Sequence, residues 1–152
     1  MGVAWRFRAV LSALAGVAIP VPALATDMAE KRLLLELNKV ESVGGDCRTT
    51  WVVNNTTGKN LEKVKLDFVA FDVDGIVVRR VIADMGPIHT EHTRVKLFDL
   101  KDIDCGNVGR VLMNGVRTCE GGSAAVTPGL CADSLQTASR AAVHFTDRKS
   151  GV

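Results

Sequence analysis

The sequence predicts an all-β protein built as an antiparallel β-sandwich, and three observations support this fold class. Turn signals rich in Gly, Asn, Asp and Pro recur about every 10 to 20 residues. The segments between them alternate apolar and polar side chains, and the stretch from Gly44 to Cys119 lacks a good helix pattern. Short strands separated by turns in this way are typical of a sandwich.

The clearest predicted strand is residues 64–71. Its alternating apolar side chains are expected to face the core, whereas Lys65 and Asp67 are expected to face water. Trp51 is also expected to face inward. Alternation or β-branched composition predicts the strands 33–40, 47–53, 64–71, 76–82, 93–100 and 108–113.

Three dipeptides mark predicted turns between these strands: Asp74-Gly75, Gly86-Pro87 and Asn114-Gly115. Beyond them, residues 121–129 form a loop of small residues. Thr127 and Pro128 are suited to begin a short helix that ends near Gln136. Residues 141–145 are predicted to form a last strand, so the sandwich carries a short helix and strand tail.

Residues 1–25 are predicted to be a cleavable secretory signal peptide. Arg6 and Arg8 precede an apolar stretch of about 13 residues, and residues 23–25 provide the small side chains of a cleavage site. This stretch is too short for a comfortable membrane span, so no stable span is expected after cleavage. The expected parts are the signal peptide 1–25, the β-sandwich domain 26–120 and a disulfide-pinned C-terminal tail 121–152.

Removal of the signal peptide would leave a chain without net charge. The whole sequence has 19 basic and 17 acidic residues, and the two basic residues in excess, Arg6 and Arg8, belong to the predicted signal. A neutral domain has no overall field with which to gather a polyanion, so we expect no nucleic-acid partner.

Four cysteines follow the predicted signal: Cys47, Cys105, Cys119 and Cys131. An even count in an exported chain predicts two disulfides and a periplasmic or secreted location. If Asn114-Gly115 closes a hairpin, Cys105 lies too far along the strand to reach Cys119. Two connectivities remain, of which Cys47–Cys105 with Cys119–Cys131 is preferred because it would tie two strands together and pin the tail.

Candidate functional residues are few. His89 and His92 flank a carboxylate and could hold a metal ion in an exposed turn, with a third ligand from elsewhere. Phe71 points away from the predicted core side of its strand, which suggests a contact patch. Arg94 is one of six scattered arginines that could line up as a basic stripe. No nucleophile or carboxylate has a partner at catalytic spacing, so neither an enzyme nor a cofactor is expected.

Residues 51–100 resemble a known class of domain. A strand that ends in Val53-Asn54-Asn55-Thr56, followed by the hairpin Phe71-Asp72-Val73-Asp74-Gly75, is similar to the FxLYD-type immunoglobulin-like domains of bacterial envelope proteins. The wider frame resembles small secreted alphaproteobacterial proteins without an assigned activity. The resemblance implies an immunoglobulin-like sandwich with a binding or assembly role, and it implies no catalytic residues.

Two functions follow as expectations. The first is a non-enzymatic exported module that binds a protein partner in the cell envelope, with Phe71 and Arg94 as contact residues. The alternative is a periplasmic metal-binding protein that uses His89 and His92 with a nearby carboxylate or Met85.

Overall fold

The computed structural model describes residues 1–2 and 30–149. The body of the predicted signal peptide, residues 3–25, lies outside the described residues. No helix in the described ranges is long and apolar enough to cross a membrane.

Residues 30–149 fold into two four-stranded sheets that pack face to face, as predicted. Numbered along the chain, the strands are β1 (Leu33–Val43), β2 (Asp46–Asn55), β3 (Lys63–Asp72), β4 (Val77–Asp84), β5 (His92–Leu100), β6 (Val108–Glu120), β7 (Leu135–Ser139) and β8 (His144–Asp147), with one α-helix, α1 (Pro128–Ser134). The first sheet has the strand order β5-β2-β1-β7, and the second has the order β4-β3-β6-β8.

The core lies between the two sheets and is centred on Trp51, which is fully buried. Its ring contacts Phe68 of the facing sheet at a centroid distance of 4.8 Å, Phe98 at 5.5 Å and Phe145 at 4.7 Å. The indole N–H donates to the Thr49 hydroxyl, so this large side chain is buried without an unsatisfied polar group. The alternation that predicted inward-facing side chains in β2 and β3 is confirmed.

The tail completes both sheets. α1 begins as predicted, with the Thr127 hydroxyl accepting a hydrogen bond from the Leu130 amide and Pro128 in the first turn. The predicted last strand is present as β8, but β7 was not predicted. β7 pairs parallel to β1 and β8 pairs parallel to β6, so each sheet is antiparallel except at the edge that the tail adds.

The prediction that Asn114-Gly115 is a hairpin turn is wrong. β6 continues through these residues to Glu120 and pairs with β3 along its whole length. The register shifts three times along this pairing. The extra residues are Gly109 beside Phe71 and Asp72, Asn114 beside Asp67 and Phe68, and Arg117 beside Lys65 and Leu66. All three positions are therefore β-bulges, and Asn114-Gly115 is accommodated within the strand at one of them.

The preferred disulfide connectivity is confirmed, although the hairpin argument for it was wrong. Cys47 is bonded to Cys105 and Cys119 to Cys131, with Cα–Cα distances of 4.7 and 6.3 Å. Cys105 precedes β6, and Cys119 is the twelfth of the 13 residues of that strand. The strand between them spans about 35 Å at strand rise, which rules out a bond between the two cysteines.

The two disulfides are expected to contribute unequally to stability. They close loops with sequence separations of 58 and 12 residues. From loop-closure entropy, the pair Cys47→Ala/Cys105→Ala should lower the free energy of unfolding by about 4 kcal/mol, and the pair Cys119→Ala/Cys131→Ala by about 3 kcal/mol. Urea unfolding of the chain without residues 1–25 measures both; a larger loss from the shorter loop would contradict this account.

Candidate functional site

Exposed apolar side chains concentrate on one side of the sandwich. Within residues 30–149, seven of the eight large hydrophobic side chains that are exposed lie on the β3–β4 hairpin, on β4 or on β5. We call this region the β4–β5 side. Its exposed residues are Val73, Ile76, Val77, Val78, Ile82, Val95 and Leu97. Scattered surface hydrophobics need no explanation, but a set gathered on neighbouring elements is typical of an interaction surface.

β4 and β5 are also edge strands, each with one hydrogen-bonded neighbour in the described part of the chain. The two differ in how well they are protected. Arg94 and Lys96 of β5 pair with Val53 and Trp51, whose side chains are buried, so these two cations lie on the inner side of the sheet edge. Inward-pointing charges discourage the addition of another strand. β4 has one such charge, Arg79 opposite buried Ala70, and β5 has two, so β5 is the better protected edge.

The second sheet carries a buried carboxylate on its outer face. Asp67 alternates away from the core, yet its side chain is only 1% exposed because arginines cover it. Arg80 Nε and Nη2 donate to its two oxygens at 2.9 and 2.7 Å. Arg117 Nε and Asn114 Nδ2 donate to the same carboxylate at 3.1 and 3.0 Å. The prediction that Asp67 faces water is therefore wrong.

The bulges of β6 at Asn114 and Arg117 explain how this cluster forms. Asn114 and Arg117 are the extra residues of the bulges, and both point to Asp67. Hydrogen bonds from Arg80 above all, and also from Asn114 and Arg117, hold the pKa of Asp67 well below its usual range, against the effect of burial. The carboxylate therefore stays charged, and the two arginines share one negative charge.

Sequence reasoning missed this cluster because its members are far apart in the chain. Arg80 could have been found: the hairpin at Asp74-Gly75 brings β4 back along β3, which places Arg80 near Asp67. The bulged positions of Asn114 and Arg117 had no signal in the sequence.

The predicted contact residues Phe71 and Arg94 do not form one site. Phe71 is half-buried on the outer face of the second sheet, with the Arg110 guanidinium carbon 4.2 Å from its ring centroid. This is a cation–π contact. Arg94 belongs to the first sheet and donates from Nη1 to the Pro87 carbonyl at 2.8 Å. Phe71 therefore lies near the Asp67 cluster, and Arg94 lies near the β5 edge.

The outer face of the second sheet is basic. The strand registers and bulges place on it the cations Lys65, Arg80, Arg110 and Arg117 with the anions Asp67 and Asp84, and also the ion pair of Lys63 with Glu120. The surplus is two positive charges. On the outer face of the first sheet, by contrast, Arg48 is paired with Asp99 and Arg140 with Glu36. Three of the six arginines of the predicted basic stripe therefore lie on one face, Arg80, Arg110 and Arg117, and Arg94 does not.

The predicted metal ligands remain two residues. The rings of His89 and His92 lie 5.9 Å apart in an exposed segment, and His92 Nδ1 is 2.8 Å from the Thr90 carbonyl oxygen. In residues 30–149 there is no group of three or more His, Cys, Asp or Glu side chains that could hold a metal ion. Metal binding by this loop stays a prediction, since no third ligand of these types lies beside His89 and His92 in residues 30–149.

A cleft of about 450 Å³ lies where the β3–β4 hairpin meets the segment after β5. Four aspartates and Arg79 are among its lining residues, and serine, cysteine and histidine are not. Two of the aspartates are used structurally, because Asp72 accepts from the turn amides of Asp74 and Ile76, and Asp104 accepts from Gly106. The cleft therefore offers no nucleophile paired with a base.

These features define the described part of the chain as a disulfide-bonded β-sandwich with one apolar, partly basic side. Comparisons with protein-family models, with curated proteins and with solved structures found no match to this chain. The resemblance to FxLYD-type domains stays a prediction.

The Asp67 cluster generates a pH-dependent expectation. A carboxyl whose pKa falls on folding stabilises the folded state at pH values above the pKa of the unfolded chain, which is 3.8 for Asp67. This stabilisation is lost as the pH falls toward the lower pKa of the folded state. Asp67→Asn should lower the free energy of unfolding by about 2–3 kcal/mol at pH 6, because charged hydrogen bonds are lost. It should also flatten the decline below pH 4.

Urea unfolding from pH 6 to pH 2 measures both effects. Asp74→Asn is the control, since it changes an exposed aspartate at the tip of the neighbouring hairpin. Equal pH slopes for the protein with Asp67 and for Asp67→Asn would contradict the assignment.

Proposed function

We propose that this chain is a non-enzymatic exported module that binds a protein partner in the cell envelope through its β4–β5 side. The observation that carries the proposal is the gathering of seven exposed apolar side chains on the hairpin, β4 and β5. Specific protein interfaces have apolar centres with polar or charged rims, and arginine is enriched in them. Arg79, Arg80 and Arg94 lie on the same strands and supply such a rim.

The two disulfides agree with an oxidising, exported location. The periplasm is the compartment we propose, on the basis of the predicted signal peptide. A binding role also agrees with the way in which these side chains are held. Asp67 and Arg80 are hydrogen-bonded to each other, and Phe71 is in contact with Arg110. Side chains that are ordered before a partner binds lose less entropy on binding.

The proposal is tested by capture of partners from a periplasmic extract. The chain without residues 1–25 should recover a partner that both Ile82→Ser and Leu97→Ser lose, since each removes an apolar side chain that is 57% exposed on the β4–β5 side. Val43→Ser is the matched control, because Val43 is an exposed apolar residue at the end of β1.

Capture is followed by quantitative mass spectrometry of the bound proteins. A partner retained equally by all three variants would place the interface elsewhere. If the unmodified chain recovers nothing and stays monomeric at high concentration, the proposed function is wrong.

A further inference from the structure

We infer that the partner of this site is an extended acidic segment that adds a strand to the free edge of β4, with one of its carboxylates against Arg80. The inference rests on the proposed function and names the chemistry of the partner. It depends on three features of β4: its open edge, the order of the side chains along its outer face, and the way in which Arg80 is held.

The outer face of β4 presents its side chains in a fixed order. The register with β3 places Val77, Arg80, Ile82 and Asp84 on this face, and Val78 is the extra residue of a bulge between Val77 and Arg79. Ile82 and Val77 are each 57% exposed, and the Arg80 side chain between them is 55% exposed. A strand added beside β4 would lie about 4.8 Å away with a period of two. Its complementary pattern is an acidic residue opposite Arg80, an apolar residue two positions away opposite Ile82, and a second apolar residue on the other side, toward Val77.

Arg80 is oriented for this role by a group that the partner does not touch. Asp67 is buried and binds Nε and Nη2 of the guanidinium, which fixes the plane of the fork. The same carboxylate is shared with Arg117, so the cluster keeps a net positive charge. An arginine that is already ordered loses less entropy when it binds a second carboxylate. Asp67 is thus a positioning residue for Arg80.

Another edge and another occupant fit less well. The other edge is β5, where the inward side chains of Arg94 and Lys96 oppose strand addition. A second copy of β4 would place its own Arg79 and Arg80 beside the same two arginines of the first copy. It would add only one aspartate, Asp84, to balance them. Like charges across a strand pair are destabilising, whereas an acidic segment neutralises the edge.

The test uses a phage-displayed library of random twelve-residue peptides, panned against the chain without residues 1–25. Enriched peptides are expected to carry Asp or Glu with Val, Ile, Leu or Phe two positions away on one side, and a second apolar residue on the other side. Synthetic copies of these peptides should bind Arg80→Gln about tenfold to a hundredfold more weakly, from the loss of charged hydrogen bonds. Ile82→Thr should reduce the apolar preference at one flanking position without affecting the acidic one.

The matched control is Arg140→Gln, which removes another exposed arginine bound to a carboxylate, next to β7 at the other side of the sandwich. Circular dichroism and urea unfolding confirm that each variant is folded. Peptides without an acidic preference, peptides that bind Arg80→Gln unchanged, failure to enrich any peptide, or self-association of the chain would each overturn the inference. Capture of a partner that depends on Leu97 but not on Arg80 would leave the proposed function standing while the strand-addition inference fails.

Discussion

The structure depends on the burial of Trp51 between two sheets whose strands are interleaved along the sequence. Its ring contacts aromatic residues from β3, β5 and β8, so strands from both ends of the chain meet at one side chain. Because aromatic side chains bury large apolar areas, this cluster fixes how the sheets lie on each other. Once the sheets are fixed, β4 and β5 become neighbouring edges, and their exposed apolar side chains lie along those two edges on the outer faces of the two sheets.

The part of the fold that the sequence predicts correctly depends on the local alternation of apolar and polar side chains. Strands β1 to β5 and the Asp74-Gly75 hairpin follow from residues within a few positions of one another, and the structure agrees with them. The failure at Asn114-Gly115 has a different origin. This dipeptide favours a tight turn locally, but long-range pairing of β6 with β3 overrides that preference and converts it to a bulge. β7 was missed because its five residues become a strand only by pairing with β1, about a hundred residues earlier.

The candidate site shows the same division. The outward orientation of Phe71 was predictable from alternation. Its partial cover by Arg110 was not, because the two residues lie on different strands. The prediction that Asp67 lies on the outer face is correct, and the prediction that it faces water is wrong. A period of two shows which face of a sheet a residue occupies, but it does not show which side chains cover that residue. Long arginine side chains can cover a sheet face while their charged ends stay wet, so an outward-facing carboxylate can be as buried as a core residue.

The parallel pairing of β7 with β1 has a consequence for the order in which the chain can fold. Leu33 faces Leu135 in this ladder, so the first strand gains its second neighbour only when nearly the whole polypeptide is present. Such a topology has a high contact order, which slows folding because a long loop must close before the pairing stabilises it. A chain that folds from its amino-terminal side would therefore keep one edge of β1 unpaired until residues 135–139 are available to cover it.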